Sequence, residues 1–88
     1  MRKYNVALSN DSCIFDEASG FDSIFDVIQW ASGRGGRYVI QLDAGKAEQG
    51  ESISIAYDSD TKSFSHYDGW EFVAIPADKL EAYIRQYI

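Results

Sequence analysis

The sequence predicts an α+β domain, a two-layer fold in which a mainly antiparallel 4–5-stranded sheet carries two helices packed on one face. Three observations predict it. Residues 3–9, 37–43 and 52–58 alternate apolar with polar side chains at the period of a strand. Apolar residues recur at helical spacing near 20–32 and again after Pro76. Strands and helices do not alternate along the chain, so the order β-α-β-β-β-α leaves no room for parallel βα units. At 88 residues, without an internal repeat or linker, the chain is expected to form a single domain, 1–88.

Each element has its own justification. In residues 3–9, Tyr4, Val6 and Leu8 oppose Lys3, Asn5 and Ser9, which makes a half-buried first strand. Asn10-Asp11-Ser12 supplies turn chemistry, and the irregular stretch Cys13 to Ala18 is expected to be a loop. Ser19 with Asp22 three residues on resembles a capping box and predicts a helix from about Gly20 to Ser32. Its apolar stripe would be Phe21, Ile24, Phe25, Ile28 and Ala31, with Asp22, Asp26 and Gln29 on the opposite face and Gly33 as a left-handed stop. Arg37 to Asp43 and Ser52 to Asp58 are the second and third strands, joined by a polar loop over 44–51. Asp58 to Lys62 is a hairpin turn into a fourth strand near Ser63 to Tyr67, and the three form an antiparallel meander. Trp70 to Ile75 either continues that strand past a bulge or forms a fifth. After Pro76, Leu80, Tyr83, Ile84 and Tyr87 make the stripe of a closing helix with Glu81 and Arg85 paired on its polar side.

Composition narrows the function classes. The chain is 45% hydrophobic with one proline, enough apolar bulk to fold unaided. Its lone Cys13 excludes an internal disulfide and suits a reducing cytoplasm. The N-terminal residues run straight into the first strand without an apolar leader, and no stretch approaches ~20 apolar residues, so neither export nor a membrane span is expected. Net charge is −6, and between Tyr4 and Gly33 stand Asp11, Asp16, Glu17, Asp22 and Asp26 with no Lys or Arg. Such a surface repels nucleic acid and anionic lipid and attracts basic surfaces, although acidity also serves solubility alone.

No constellation of side chains announces chemistry. Cys13 and His66 are each unique, but a third, orienting group is missing, and a buried cysteine and a sheet-surface histidine account for them. Asp58-Ser59-Asp60 opens like a cation loop without its glycine or closing glutamate, and a hairpin turn explains it. Gly33-Arg34-Gly35-Gly36 follows a helix and precedes a strand, the reverse of a phosphate cradle, and is explained by a helix stop and a turn. Basic stripes interleaved with aromatics are absent, and no metal or other cofactor is expected. Thirteen aromatic residues in so small a body leave some accessible, with Trp30, Tyr67, Trp70 and Tyr87 the first candidates.

In size, acidity, lone cysteine, aromatic content and want of chemistry over the whole chain, the sequence resembles the small acidic anti-defence proteins of bacteriophages, above all the anti-CRISPR proteins, and secondarily bacterial toxin-immunity proteins. The resemblance implies a cytoplasmic inhibitor in a bacterial host cell that docks on a basic nucleic-acid-binding surface of a nuclease or CRISPR-associated surveillance complex. From the missing catalytic constellation, the acidic charge and the lack of an apolar span, no enzyme activity and no direct contact with nucleic acid or membrane are expected. Asp22 and Asp26, about 6 Å apart along a helix at 1.5 Å per residue, would be comparable with two phosphate steps of ~3.4 Å on one DNA strand, a spacing that permits mimicry. The partner-binding residues expected are Asp16, Glu17, Asp22, Asp26, Trp30 and Trp70. The alternatives are a ligand-binding module with a pocket bounded by Trp70, Tyr83 and Tyr87, and a small enzyme using Cys13 or His66.

Overall fold

The computed structural model describes residues 4–10, 13–43 and 52–86. Among these residues six strands and two helices follow one another as β1 (Tyr4–Asn10), β2 (Cys13–Phe21), α1 (Ile24–Ala31), β3 (Arg37–Asp43), β4 (Ser52–Asp58), β5 (Ser63–Tyr67), β6 (Phe72–Ile75), a 3₁₀ turn at Ala77–Lys79 and α2 (Leu80–Arg85). The strands form one antiparallel sheet in the order β2-β1-β3-β4-β5-β6. The class is α+β, as the sequence predicts, but with six strands rather than four or five.

Alternation sorts the sheet into two faces. Val6 and Leu8, Tyr38, Ile40 and Leu42, and Ile53, Ile55 and Tyr57 point to one side, where Ile24, Val27 and Ala31 of α1 and Leu80 and Ile84 of α2 meet them in a single core. Both helices therefore cover the same face. The opposite face, which neither helix covers, carries small or polar residues over much of its area, among them Ala7, Ser9, Gln41, Ser54, Ala56 and Ser65, together with Val39 and, toward the β6 edge, Tyr67 and Phe72. Aromatic rings run across the covered face near one end of the sheet: Phe15 meets Tyr38 at 5.7 Å, Tyr38 meets Tyr57 at 5.3 Å, and Tyr57 meets Phe64 at 4.8 Å. Such aromatic pairs add to simple burial.

The expected loop at Cys13 to Ala18 is instead part of the nine-residue edge strand β2. Its pairing with β1 shifts register between Leu8 and Ser9 and again between Tyr4 and Asn5, so two bulges destroy the period-two signal. Gly20, at φ +87°, occupies a backbone region that other residues rarely adopt. Because β2 runs on through Phe21, the helix starts later than expected. Ser23 caps it, its Oγ accepting the Asp26 amide at 3.1 Å, four residues beyond the Ser19 and Asp22 pair.

The buried stripe of the helix also differs from the expected one. Val27 joins the core, Phe25 is 62% exposed and Ile28 is half-buried, which corrects the expected stripe. The helix ends at Ser32 with an ordinary φ of −88°, and Gly33 is not left-handed. β3, β4 and β5 have the expected bounds and form the expected meander. Phe72–Ile75 is a strand of its own, while Trp70 sits in the turn before it. Leu80 and Ile84 are buried, Tyr83 is half-buried, and Arg85 meets Glu81 at 2.8 Å. The expected loop at 44–51 and Tyr87 lie outside the described residues.

Candidate protein-binding surface

The acidic segment is not one continuous anionic face. Asp16 follows the bulge on β2 and stands on the helix side of the sheet, where Arg34 Nη2 reaches its Oδ2 at 2.6 Å. That hydrogen bond, with the Glu17 amide at 2.9 Å and the nearby positive charge, holds the Asp16 carboxyl below the usual carboxylate range. Arg34 also lies 4.0 Å from the centre of the Trp30 ring and donates through Nη1 to the Trp30 carbonyl. Trp30 in turn packs on Phe21, ring centres 5.9 Å apart, and is partly buried against the core. Asp16 and Trp30 thus meet through a cation that stands one residue past the run of acids.

Glu17 pairs opposite Ala7 and is exposed. Asp22 precedes α1, so it does not share a helical face with Asp26 as expected. Asp26 is exposed in the first turn, where the N-terminal dipole favours a carboxylate.

Trp70 is placed very differently. It is 92% exposed in the turn joining β5 to β6, near the sheet edge opposite β2. Five strand spacings of ~4.8 Å separate the two edges by roughly 24 Å. The turn is built by Asp68, whose Oδ1 accepts the amides of Trp70 at 2.8 Å and Glu71 at 2.9 Å, while its own amide donates to the Glu71 carbonyl at 3.1 Å. Those amides, that of Glu71 first, depress the Asp68 carboxyl. Gly69 supplies the φ of +104° that the turn requires. Directly behind it Tyr67 and Phe72 face each other across the strands, ring centres 5.3 Å apart, and are 60% and 65% exposed. Three large aromatics therefore form one exposed corner.

Phe72 is the member that sequence reasoning missed. Its signal was the period: it shares a sheet face with Ala74, opposite Tyr67 and Ser65, and both helices are already committed to the other face.

The remaining candidates are not assembled. Cys13 is exposed on β2 and His66 lies on β5, with three strands between them. His66 instead stacks on Tyr83 at 4.9 Å, fastening α2 to the sheet. Asp58 Oδ1 accepts the Asp60 amide at 2.9 Å and Oδ2 meets Arg37 Nε at 3.1 Å, the hairpin turn anticipated for that stretch. Trp70, out in solvent, bounds no pocket with Tyr83. Among the described residues no cluster of three His, Cys, Asp or Glu could hold a metal ion, and no helix is long and apolar enough to cross a membrane.

Comparison with protein-family models, with curated proteins and with solved structures gave no match.

Proposed function

We propose that the protein acts by binding another protein through the aromatic corner of the β5–β6 hairpin, in the manner of a stoichiometric inhibitor. The observation that carries this reading is the joint exposure of Tyr67, Trp70 and Phe72 at a turn closed by the hydrogen bonds of Asp68. Exposed Trp and Tyr on such a turn are the residues that anchor interfaces, because they bury large areas at little entropic cost.

Charge supports a basic partner. Asp68 and Glu71 flank the corner, segment 63–78 holds no Lys or Arg, and the whole chain carries −6. A nuclease or surveillance complex with a basic nucleic-acid-binding surface is the narrower form of this proposal, which makes the protein an anti-defence inhibitor working in a bacterial cytoplasm. Charge would steer the encounter and the aromatics would hold it.

The test is capture from a bacterial lysate with three baits: the native chain, Trp70→Ala with Phe72→Ala, and a variant with Lys at Asp16, Glu17, Asp22 and Asp26. A protein retained by the native and charge-reversed baits but lost from the aromatic variant supports the proposal. A protein held equally by the aromatic variant contradicts it.

A further inference from the structure

The two outer strands of the sheet are unlike. β2 carries two bulges and the acids Asp16 and Glu17, devices that stop an edge from recruiting another strand. β6 has neither, since Phe72-Val73-Ala74-Ile75 is uncharged and pairs with β5 without a register shift. The Asp68 amide bonds the Glu71 carbonyl, so alternation along the ladder puts Val73 and Ile75 in the pairs bonded to β5. The amide and carbonyl of Phe72 and Ala74 then point outward, and among the described residues no strand lies beside them.

We propose that this edge accepts an extended segment of a partner protein as a seventh strand. The segment would carry Lys or Arg at the Glu71 end and β-branched or aromatic residues beside Phe72. The inference rests on the proposed binding role of the aromatic corner and adds how the partner is held: main-chain bonds along β6 give affinity, while Trp70 and Phe72 select side chains. Charge decides the kind of occupant. Asp68 and Glu71 stand at one end of the edge and attract a basic segment, whereas a second copy of this chain, itself at −6, is repelled as a whole.

The experiment is a display library of random peptides about ten residues long, the upper length of a common strand. It is screened on the full protein and counter-selected on the Trp70→Ala, Phe72→Ala variant. Enriched peptides are expected to alternate apolar β-formers with polar residues and to include Lys or Arg. On binding a synthesised enriched peptide, the Phe72 and Ala74 amides are expected to gain hydrogen-exchange protection of about tenfold or more. Ala74→Pro removes one outward donor and leaves the β5 ladder intact, so it should weaken binding by about tenfold. If that variant melts early, the exchange measurement on the native sequence decides. Peptides that need Trp70 yet tolerate Ala74→Pro and protect neither amide overturn strand addition and leave the aromatic corner standing. Peptides that bind the double variant equally well, or no enrichment at all, overturn both.

Discussion

Arg34 and Asp16 meet between the end of α1 and the edge strand β2, Nη2 to Oδ2 2.6 Å. Eighteen positions apart in sequence, they tie the bulged strand to the helix, and they take one carboxylate out of the acidic segment. Arg34→Ala should therefore raise the Asp16 titration midpoint toward the ordinary value of about 3.9, measured by carboxyl NMR. The sign for stability follows from a depressed acid: the contribution is present above the unfolded-state value and is lost as pH falls through the lower folded-state value. In acid titrations the native chain should keep this contribution to lower pH than its unfolded-state value would allow, and Arg34→Ala should not.

Tyr38 gives the opposite pH dependence. Its buried hydroxyl donates to the Ala31 carbonyl at 2.5 Å and accepts the Arg34 amide at 3.4 Å, locking the end of α1 to β3. Burial pushes the phenol above its usual range, so its contribution is present below the unfolded-state value and is lost as pH rises beyond about 10. Tyr38→Phe should cost on the order of 0.5–1.5 kcal/mol at neutral pH by denaturant titration and should soften the fall in stability above that pH.

The helix stripe yields a contrast within adjacent positions. Ile24, 2% exposed, should cost on the order of 2–5 kcal/mol when cut to Ala, and Ile84 in α2 likewise. Phe25→Ala, next in sequence, should change stability by no more than about 0.5 kcal/mol, as for an ordinary surface site. Equal losses at Ile24 and Phe25 would mean that the helix is rotated from the face described.

That contrast also shows how far the sequence could be read. β3, β4 and β5 were legible because each keeps strict alternation with one face buried. β2 was not, since its bulges place Phe15 and Asp16 on one side and its edge position exposes most of its residues. The helix start was ambiguous because Ser19 with Asp22 and Ser23 with Asp26 offer the same capping pattern, and only the pairing of Tyr4 with Phe21 decides between them. For the surface, the accessibility expected of Tyr67 and Trp70 is present. Trp30 could not be judged from the acidic run alone, because its partner Arg34 stands just beyond it.

The two tryptophans should separate spectroscopically. Trp70 in solvent should emit at long wavelength and be readily quenched by acrylamide, whereas Trp30, packed between Phe21 and Arg34, should be shielded. Trp70→Phe is expected to remove the quenchable fraction. Equal quenching of both residues would contradict the placement of the turn.

The most direct measurement of the binding proposal is the dissociation rate of a captured partner from the native chain and from Trp70→Ala. An interface anchor contributes at least about 2 kcal/mol, so Trp70→Ala should speed dissociation by roughly 30-fold. Charge reversal at Asp16, Glu17, Asp22 and Asp26 should act mainly on the association rate at low salt. Unchanged dissociation from Trp70→Ala, together with loss of binding on charge reversal, would place the interface on the acidic segment and contradict the role proposed for the β5–β6 corner.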